Sequence, residues 1–404
     1  MTQDGQPFAG LKVIDLASFV AGPAAATMLG DFGADVVKIE QPGEGDPHRR
    51  LGEAPSVPQH PVNFCWELTS RNKRSLSLDL KNPAGRAVFE RLVADADVLV
   101  SNFPPPVRAR LNIRYADLAP LNPRLIYASL TGYGETGPDA GQPGFDATAF
   151  FARAGILDSL RYEGAAPGFA FPGQGDQMTA VTLFGSIVMA LWNRERTGRG
   201  AEVGTSLLAA GLWSSGLISQ GALLGAFVAP RPPRTRPRSA LGNLYRARDD
   251  RWFSLAVVRE EKLWPGFCAA LGRPDLEHDP RFATRETRRA HATELAAVLD
   301  AIFASDDWPA WRDKLRAAGI TFGVVGRMQD IPDDPQAVAC GAVIEGDQPG
   351  MPRTLANPIR VDFAHQRRPQ AAPATPGIDN ESVLRDAGYG VAEIDALRAA
   401  GALG

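Results

Sequence analysis

Asp176 closes the segment Gly173-Gln-Gly-Asp176 and stands directly ahead of a stretch with no charge until Arg194. A carboxylate so placed can cap a helix by accepting from the free backbone donors of its first turn. It can equally be a nucleophile, because glycines let a substrate approach the backbone and nearby N–H groups can stabilise the oxyanion formed as the carboxylate is acylated. Spacing leaves both roles open. Gly132-Tyr-Gly-Glu-Thr-Gly137 has the G-x-G-x-x-G spacing of a dinucleotide loop, yet Pro138, Gly141, Pro143 and Gly144 follow where a helix must open, which argues against a nicotinamide cofactor. His48, His60, His278, His291 and His365 show no paired ligand spacing and read as surface residues. Cys65, Cys268 and Cys340 are too far apart for a metal knuckle, so no metal is expected.

The elements that would carry these residues alternate. Apolar runs at 11–16, 34–40, 74–80, 97–100 and 124–130 read as strands, and 22–32 and 83–96 as helices, which predicts an α/β fold with a largely parallel, Rossmann-like sheet. A helix over about 177–196 follows Asp176. The uncharged stretch 203–230 is interrupted by Ser214, Ser215, Ser219 and Gln220, and is expected to be a buried core or subunit-interface helix rather than a membrane span. Segment 230–238, with four prolines and four arginines, reads as a solvated linker. Beyond it a smaller α+β pattern has a strand at 252–258 and helices near 261–271, 288–305 and 308–318. The expected organisation is a large domain at 1–229, the linker, a small domain at 239–335, and a return to the large domain at 336–404.

The 404 residues carry 43 Lys and Arg against 46 Asp and Glu, a net charge of −3, so no general field attracts nucleic acid or an anionic membrane. The polar segment 1–10 lacks a secretory pattern, and dispersed cysteines fit a reducing cytoplasm.

Ordered motifs run through most of the chain: Phe8-Ala-Gly-Leu-Lys-Val-Ile-Asp-Leu16, Ala21-Gly-Pro23, Leu29-Gly-Asp-Phe-Gly-Ala-Asp-Val-Val-Lys-Ile-Glu40, Asn72-Lys-Arg-Ser75, Leu78-Asp-Leu-Lys81, Asn102-Phe103, Gly132-Tyr-Gly134 and Arg196-Thr-Gly-Arg-Gly200. Together they resemble the class III coenzyme A transferases. The resemblance implies that coenzyme A moves from an acyl-CoA thioester to a free carboxylic acid, with no permanently bound cofactor, in an interlaced, ring-like homodimer. It implies Asp176 as the nucleophile, passing through aspartyl anhydride and aspartyl-CoA thioester states, with Gly173 and Gly175 in the oxyanion loop. Carried over by position, the CoA contacts are Phe19, Val20 and Ala21, Leu78 and Lys81, Asn102 and Phe103, Arg110 and Leu111, and Tyr133. Lys81 and Arg110 can meet phosphates, while Leu78 and Phe103 can hold the adenine faces. Gln41 and Thr131 stand where the pattern has an arginine and a lysine. Gln220 or Asn243 is expected near the acceptor acid, and Arg49, Arg50 or Arg71 in the pocket would suit a dicarboxylate. The racemase branch has a Gly-His-Asp motif where this chain has Gly144-Phe145-Asp146. Phe145 cannot carry a proton, which favours transfer over the alternative of racemisation or epimerisation and leaves Asp146 to read as a helix cap, while the retention of Asp176 in its glycine setting argues against the other alternative, silent CoA binding.

Overall fold

The computed structural model describes residues 5–404. The first four residues of the polar segment 1–10 lie outside them. The chain divides into two compact units, one of Met1–Asp158, Gly168–Val228 and Pro335–Gly404, the other of Ser159–Pro167 and Ala229–Asp334.

The first unit is built on a six-stranded sheet: β1 (Lys12–Asp15), β2 (Asp35–Glu40), β3 (Lys73–Ser77), β4 (Val98–Ser101), β5 (Ile126–Thr131) and β6 (Ala201–Ser206). The order is β3-β2-β1-β4-β5-β6, and every pairing is parallel. Parallel strands are covered on both faces, which is why β4 and β5 are buried at every position and are apolar apart from Ser101, Ser129 and Thr131. Strand order reverses between β1 and β4, so a crevice for a ligand is expected outside their carboxyl ends. The helix Ala21–Asp31 packs closely there because Ala24, Ala25 and Ala26 are small and Gly22 has no side chain; a Cβ on Gly22 would lie 2.4 Å from that of Ala17. The long helix Gln174–Thr197 shares its core, through Leu183, Phe184 and Ile187, and ends at Gly198 with φ +71°. The edge strand β3 has its outer donors occupied: Ser75 N–H donates to Asp379 and Ser77 N–H to Asn380, each at 2.8 Å.

Four charged side chains are buried beneath β1, β2 and β3. Lys73 donates to Asp15 at 2.8 Å, and Lys38 lies 3.9 Å from Asp15, pairs with Asp46 at 2.8 Å and donates to Ala17 O. Burial alone would lower both lysines; it prevails at Lys73, whereas the charges of Asp15 and Asp46 overcome it and hold Lys38 above the ordinary lysine value.

Region 203–230 is not one buried helix. Strand β6 takes its start, and two short helices, Leu207–Ser214 and Gly216–Leu223, meet at Ser215. Their outer faces leave Trp213, Leu217 and Leu223 exposed, and Phe227, just beyond the second helix, is exposed as well. Among the described residues no helix is long and apolar enough to cross a membrane.

The second unit has an antiparallel sheet of β7 (Leu244–Arg246), β8 (Trp252–Leu255) and β9 (Phe322–Val324). Phe253 packs against Tyr245, Phe303 and Trp308 at its centre. The helix predicted over 288–305 is two, Arg285–Ala290 and Ala292–Phe303, separated at His291. Nor are the arginines of 230–238 simply solvated. Arg234 donates to Asp300 at 2.8 Å, Arg238 to Pro230 O at 2.6 Å, and Arg231 lies 5.1 Å from the Tyr162 ring centre.

Candidate active site

Asp176 does not cap its helix. Gly173 takes the cap position in a left-handed conformation, φ +89°, which suits glycine, and this places Asp176 inside the first turn. Its carboxylate is half-buried and has no hydrogen-bond partner among the described residues. Burial, and after it the negative charge of Asp146, push it up to about 7. Gly175 is wedged: a Cβ there would stand 2.7 Å from the Phe150 ring and 2.9 Å from the Asp146 Cβ. Asp146, which begins a π-helix at Asp146–Arg153, accepts from Ala147 N–H at 2.8 Å and from Gly175 N–H at 3.2 Å. Asp146 is therefore not the cap expected of it: Phe145 takes the cap position, with its N–H donating to Thr148 Oγ1 at 3.0 Å, and the Asp146 carboxylate reaches across to the long helix instead. Gly175 N–H is therefore not free to meet an oxyanion. Gln177 N–H returns to Gly173 O at 3.0 Å, and the N–H groups of Gln174 and Asp176 have no protein acceptor among the described residues.

The turn after β1 comes up against this helix start; Val20 Cγ1 lies 4.0 Å from where a Gly173 Cβ would stand. Phe19 holds φ +63°, a conformation that costs a non-glycine residue of order 1–3 kcal/mol. Side chains from other strands maintain it. Asn102, just past β4, accepts from Ser18 N–H at 2.8 Å and donates to Ser18 O at 2.7 Å, and Asp46 accepts from Phe19 N–H at 3.1 Å. The Phe19 ring meets that of Phe145 edge-on, with centroids 5.6 Å apart. Gly132 and Gly144 touch backbone to backbone, since a Cβ on either would come within 2.9 Å of the other's Cα. That contact accounts for Gly132, and positive φ values of +110° and +97° account for Gly134 and Gly137, so no phosphate is needed to explain the G-x-G-x-x-G segment; the same contact brings Phe145 and Asp146 beside β5. Thr131, in place of a lysine, accepts from Gly134 N–H at 2.9 Å and so ties the same turn.

Outside the carboxyl ends of β1, β2 and β4 lies a cleft of about 370 Å³. Leu78, Lys81, Phe103, Arg110 and Leu111 all line it, together with Gln41. The remaining sequence-predicted contacts stand elsewhere. Val20 and Ala21 are buried in the core, Asn102 is spent on Ser18, and Tyr133 lines a separate shallow depression with Gln142, Thr148 and Arg153. Arg49 and Arg71 are structural cations: Arg49 forks onto Glu40 with both bonds at 2.7 Å, and Arg71 onto Asp31 at 3.0 and 2.7 Å. Arg50 pairs with Glu44 at the surface. Gln220 is exposed on Gly216–Leu223, and Asn243, in the second unit, donates to Arg234 O at 3.1 Å. His48 is not at the surface. It is buried, with Nε2 2.8 Å from Thr69 Oγ1, and burial lowers its pKa. Among the described residues no cluster of three His, Cys, Asp or Glu could hold a metal ion. Asp46 was not a candidate from sequence, because its role depends on a β1 turn that meets it only in the fold.

The family model of CoA-transferase family III matches residues 8–380. The chain belongs to CoA-transferase family III. It is 31% identical over 403 residues to the cinnamoyl-CoA:phenyllactate CoA-transferase of Clostridium sporogenes, covering 98% of this chain and 97% of that one. It is 33% identical over 382 residues to the acetyl-CoA:oxalate CoA-transferase of Acetobacter aceti, covering 93% and 94%. Among solved structures, a CAIB/BAIF family protein from Brucella suis superposes with a TM-score of 0.82 at 29% identity over 95% of this chain and 99% of that one. This family III CoA-transferase is thus an enzyme whose substrates are an acyl-CoA and a carboxylic acid.

Proposed function

We propose that this CoA-transferase works through Asp176 as a covalent nucleophile. The observation that carries this reading is a half-buried carboxylate, without a hydrogen-bond partner among the described residues, at the start of a helix and raised to about 7. An Asp176 oxygen attacks the thioester carbonyl; the C–O bond forms, the C–S bond breaks, and CoA leaves as thiolate. The thiolate then attacks the Asp176 carbonyl of the anhydride, releasing the donor acid and leaving an aspartyl-CoA thioester. The acceptor carboxylate attacks that thioester, and returning thiolate completes the acceptor acyl-CoA and frees Asp176. The N–H groups of Gln174 and Asp176 are the available oxyanion donors. Lys81 and Arg110 meet CoA phosphates at the cleft, with Leu78, Phe103 and Leu111 along its apolar part.

For the acyl group, the relatives' names suggest aryl, short and dicarboxylic acids as first candidates. A second copy of the chain covering the exposed face of Leu207–Ser214 and Gly216–Leu223 gives the homodimer, and three free cysteines fit the cytoplasm. The test is intact mass after incubation with acetyl-, succinyl- and cinnamoyl-CoA, with hydroxylamine trapping, for wild type and Asp176→Ala. A hydroxylamine-sensitive adduct on Asp176, lost in the variant, is expected. Turnover by Asp176→Ala at the wild-type rate would exclude the nucleophile.

A further inference from the structure

On the reading just given, acylation converts an anion at Asp176 into a neutral group and carries the negative charge away on the CoA sulfur. Whatever disfavours charge at Asp176 therefore favours its covalent states. One carboxylate is built into that position. Asp146 is 4% exposed, and backbone N–H groups hold its oxygens on two sides, one of them from Gly175, immediately before Asp176. The missing side chain of Gly175 permits the approach. No cation offsets it among the elements packed on the long helix. Ala21–Asp31, β5 and Leu207–Ser214 carry no basic residue, and β6 adds only an acid, Glu202. Arg153, at the far end of the π-helix, pairs with Asp139; Lys38, behind the β1 turn, pairs with Asp46; Arg194, at the far end of the long helix, pairs with Asp97.

We propose that Asp146 is a positioning residue whose buried negative charge, held beside Asp176, drives Asp176 toward its acylated and CoA-thioester states. Two quantities then move in step when that charge is removed: the pH at which acylation is half-maximal, and the ratio of covalent to free enzyme at fixed donor and acid. Asp146→Asn is expected to lower the midpoint by about one pH unit and the ratio about tenfold, since one unit corresponds to a factor of ten. Phe145→Lys, which adds a positive charge at an exposed neighbour and leaves both N–H bonds of Asp146 in place, should move both in the same direction, and it decides the matter if Asp146→Asn does not fold. The measurements are single-turnover acylation across pH and intact mass, with whichever of acetyl-, succinyl- or cinnamoyl-CoA labels the wild type. A slower rate with an unmoved midpoint and ratio in both variants would reduce Asp146 to a loop tether and overturn the proposal. A wild type that no donor labels would instead overturn the nucleophilic reading beneath it.

Discussion

The carboxylate at 176 is disfavoured as an anion by its surroundings, and that has a signature in stability as well as in rate. An aspartate ionises near 3.9 in an unfolded chain and at about 7 here. Below the lower value both states are protonated and the group contributes nothing. As pH rises between the two, the unfolded state loses its proton first, so the folded state loses stability, and the penalty is complete above about 7. For a half-buried group, after allowance for solvent screening, it is on the order of 2 kcal/mol. Asp176→Asn should therefore melt a few degrees higher than wild type at pH 8 and at nearly the same temperature at pH 4, as differential scanning calorimetry will show. Equal melting shifts at both pH values would mean that Asp176 is not strained by its setting. Little of this could be read from sequence. Gly173-Gln-Gly-Asp176 marks the place, but whether Asp176 caps the helix or stands free in its first turn depends on the left-handed φ of Gly173 and on Asp146, thirty positions upstream. In the same way Arg49 and Arg71 resemble substrate cations until Glu40 and Asp31 are seen to hold them.

At the scale of elements, chemistry is delegated to turns at one edge of the sheet, and each turn is fixed by a residue from another strand. Asn102 is the clearest case, since its amide binds both polar groups of Ser18 and so supports the unfavourable Phe19 backbone. Asn102→Ala should cost about 1–2 kcal/mol in global stability, the worth of two buried-side hydrogen bonds, yet raise KM for acyl-CoA about tenfold by releasing the turn. Steady-state kinetics beside a urea melt separate the two effects; an unchanged KM would show that the turn needs no such support. Strands β1, β2, β4 and β5 were legible because a sheet covered on both faces fills them largely with apolar residues, whereas β3, Lys-Arg-Ser-Leu-Ser, was legible only together with Leu78 and Leu80 beyond it. Region 203–230 was not, because an uncharged run is the common mark of a buried helix and of a surface waiting for a partner. What distinguishes them is which side of Leu207–Ser214 the π-helix already covers, a tertiary fact.

For the whole molecule, that open surface carries its own prediction. Wild type should sediment at twice the 43.2 kDa chain mass, and Leu217→Asp combined with Trp213→Asp should shift it to the single-chain value. A wild-type monomer would remove the homodimer. The buried charges under the sheet have another consequence. Asp15 lies opposite Lys38 in the β1–β2 register, and Lys38 is opposite Ser75, two residues beyond Lys73, in β2–β3. A one-residue slip of any of these strands turns its charged side chain to the opposite face, and a two-residue slip leaves an ammonium or a carboxylate alone in the interior, at a cost of several kcal/mol. Misaligned pairings of these strands are thus penalised. The quartet acts as an alignment check during assembly, so that the turns of the active site emerge from strands that have only one way to line up.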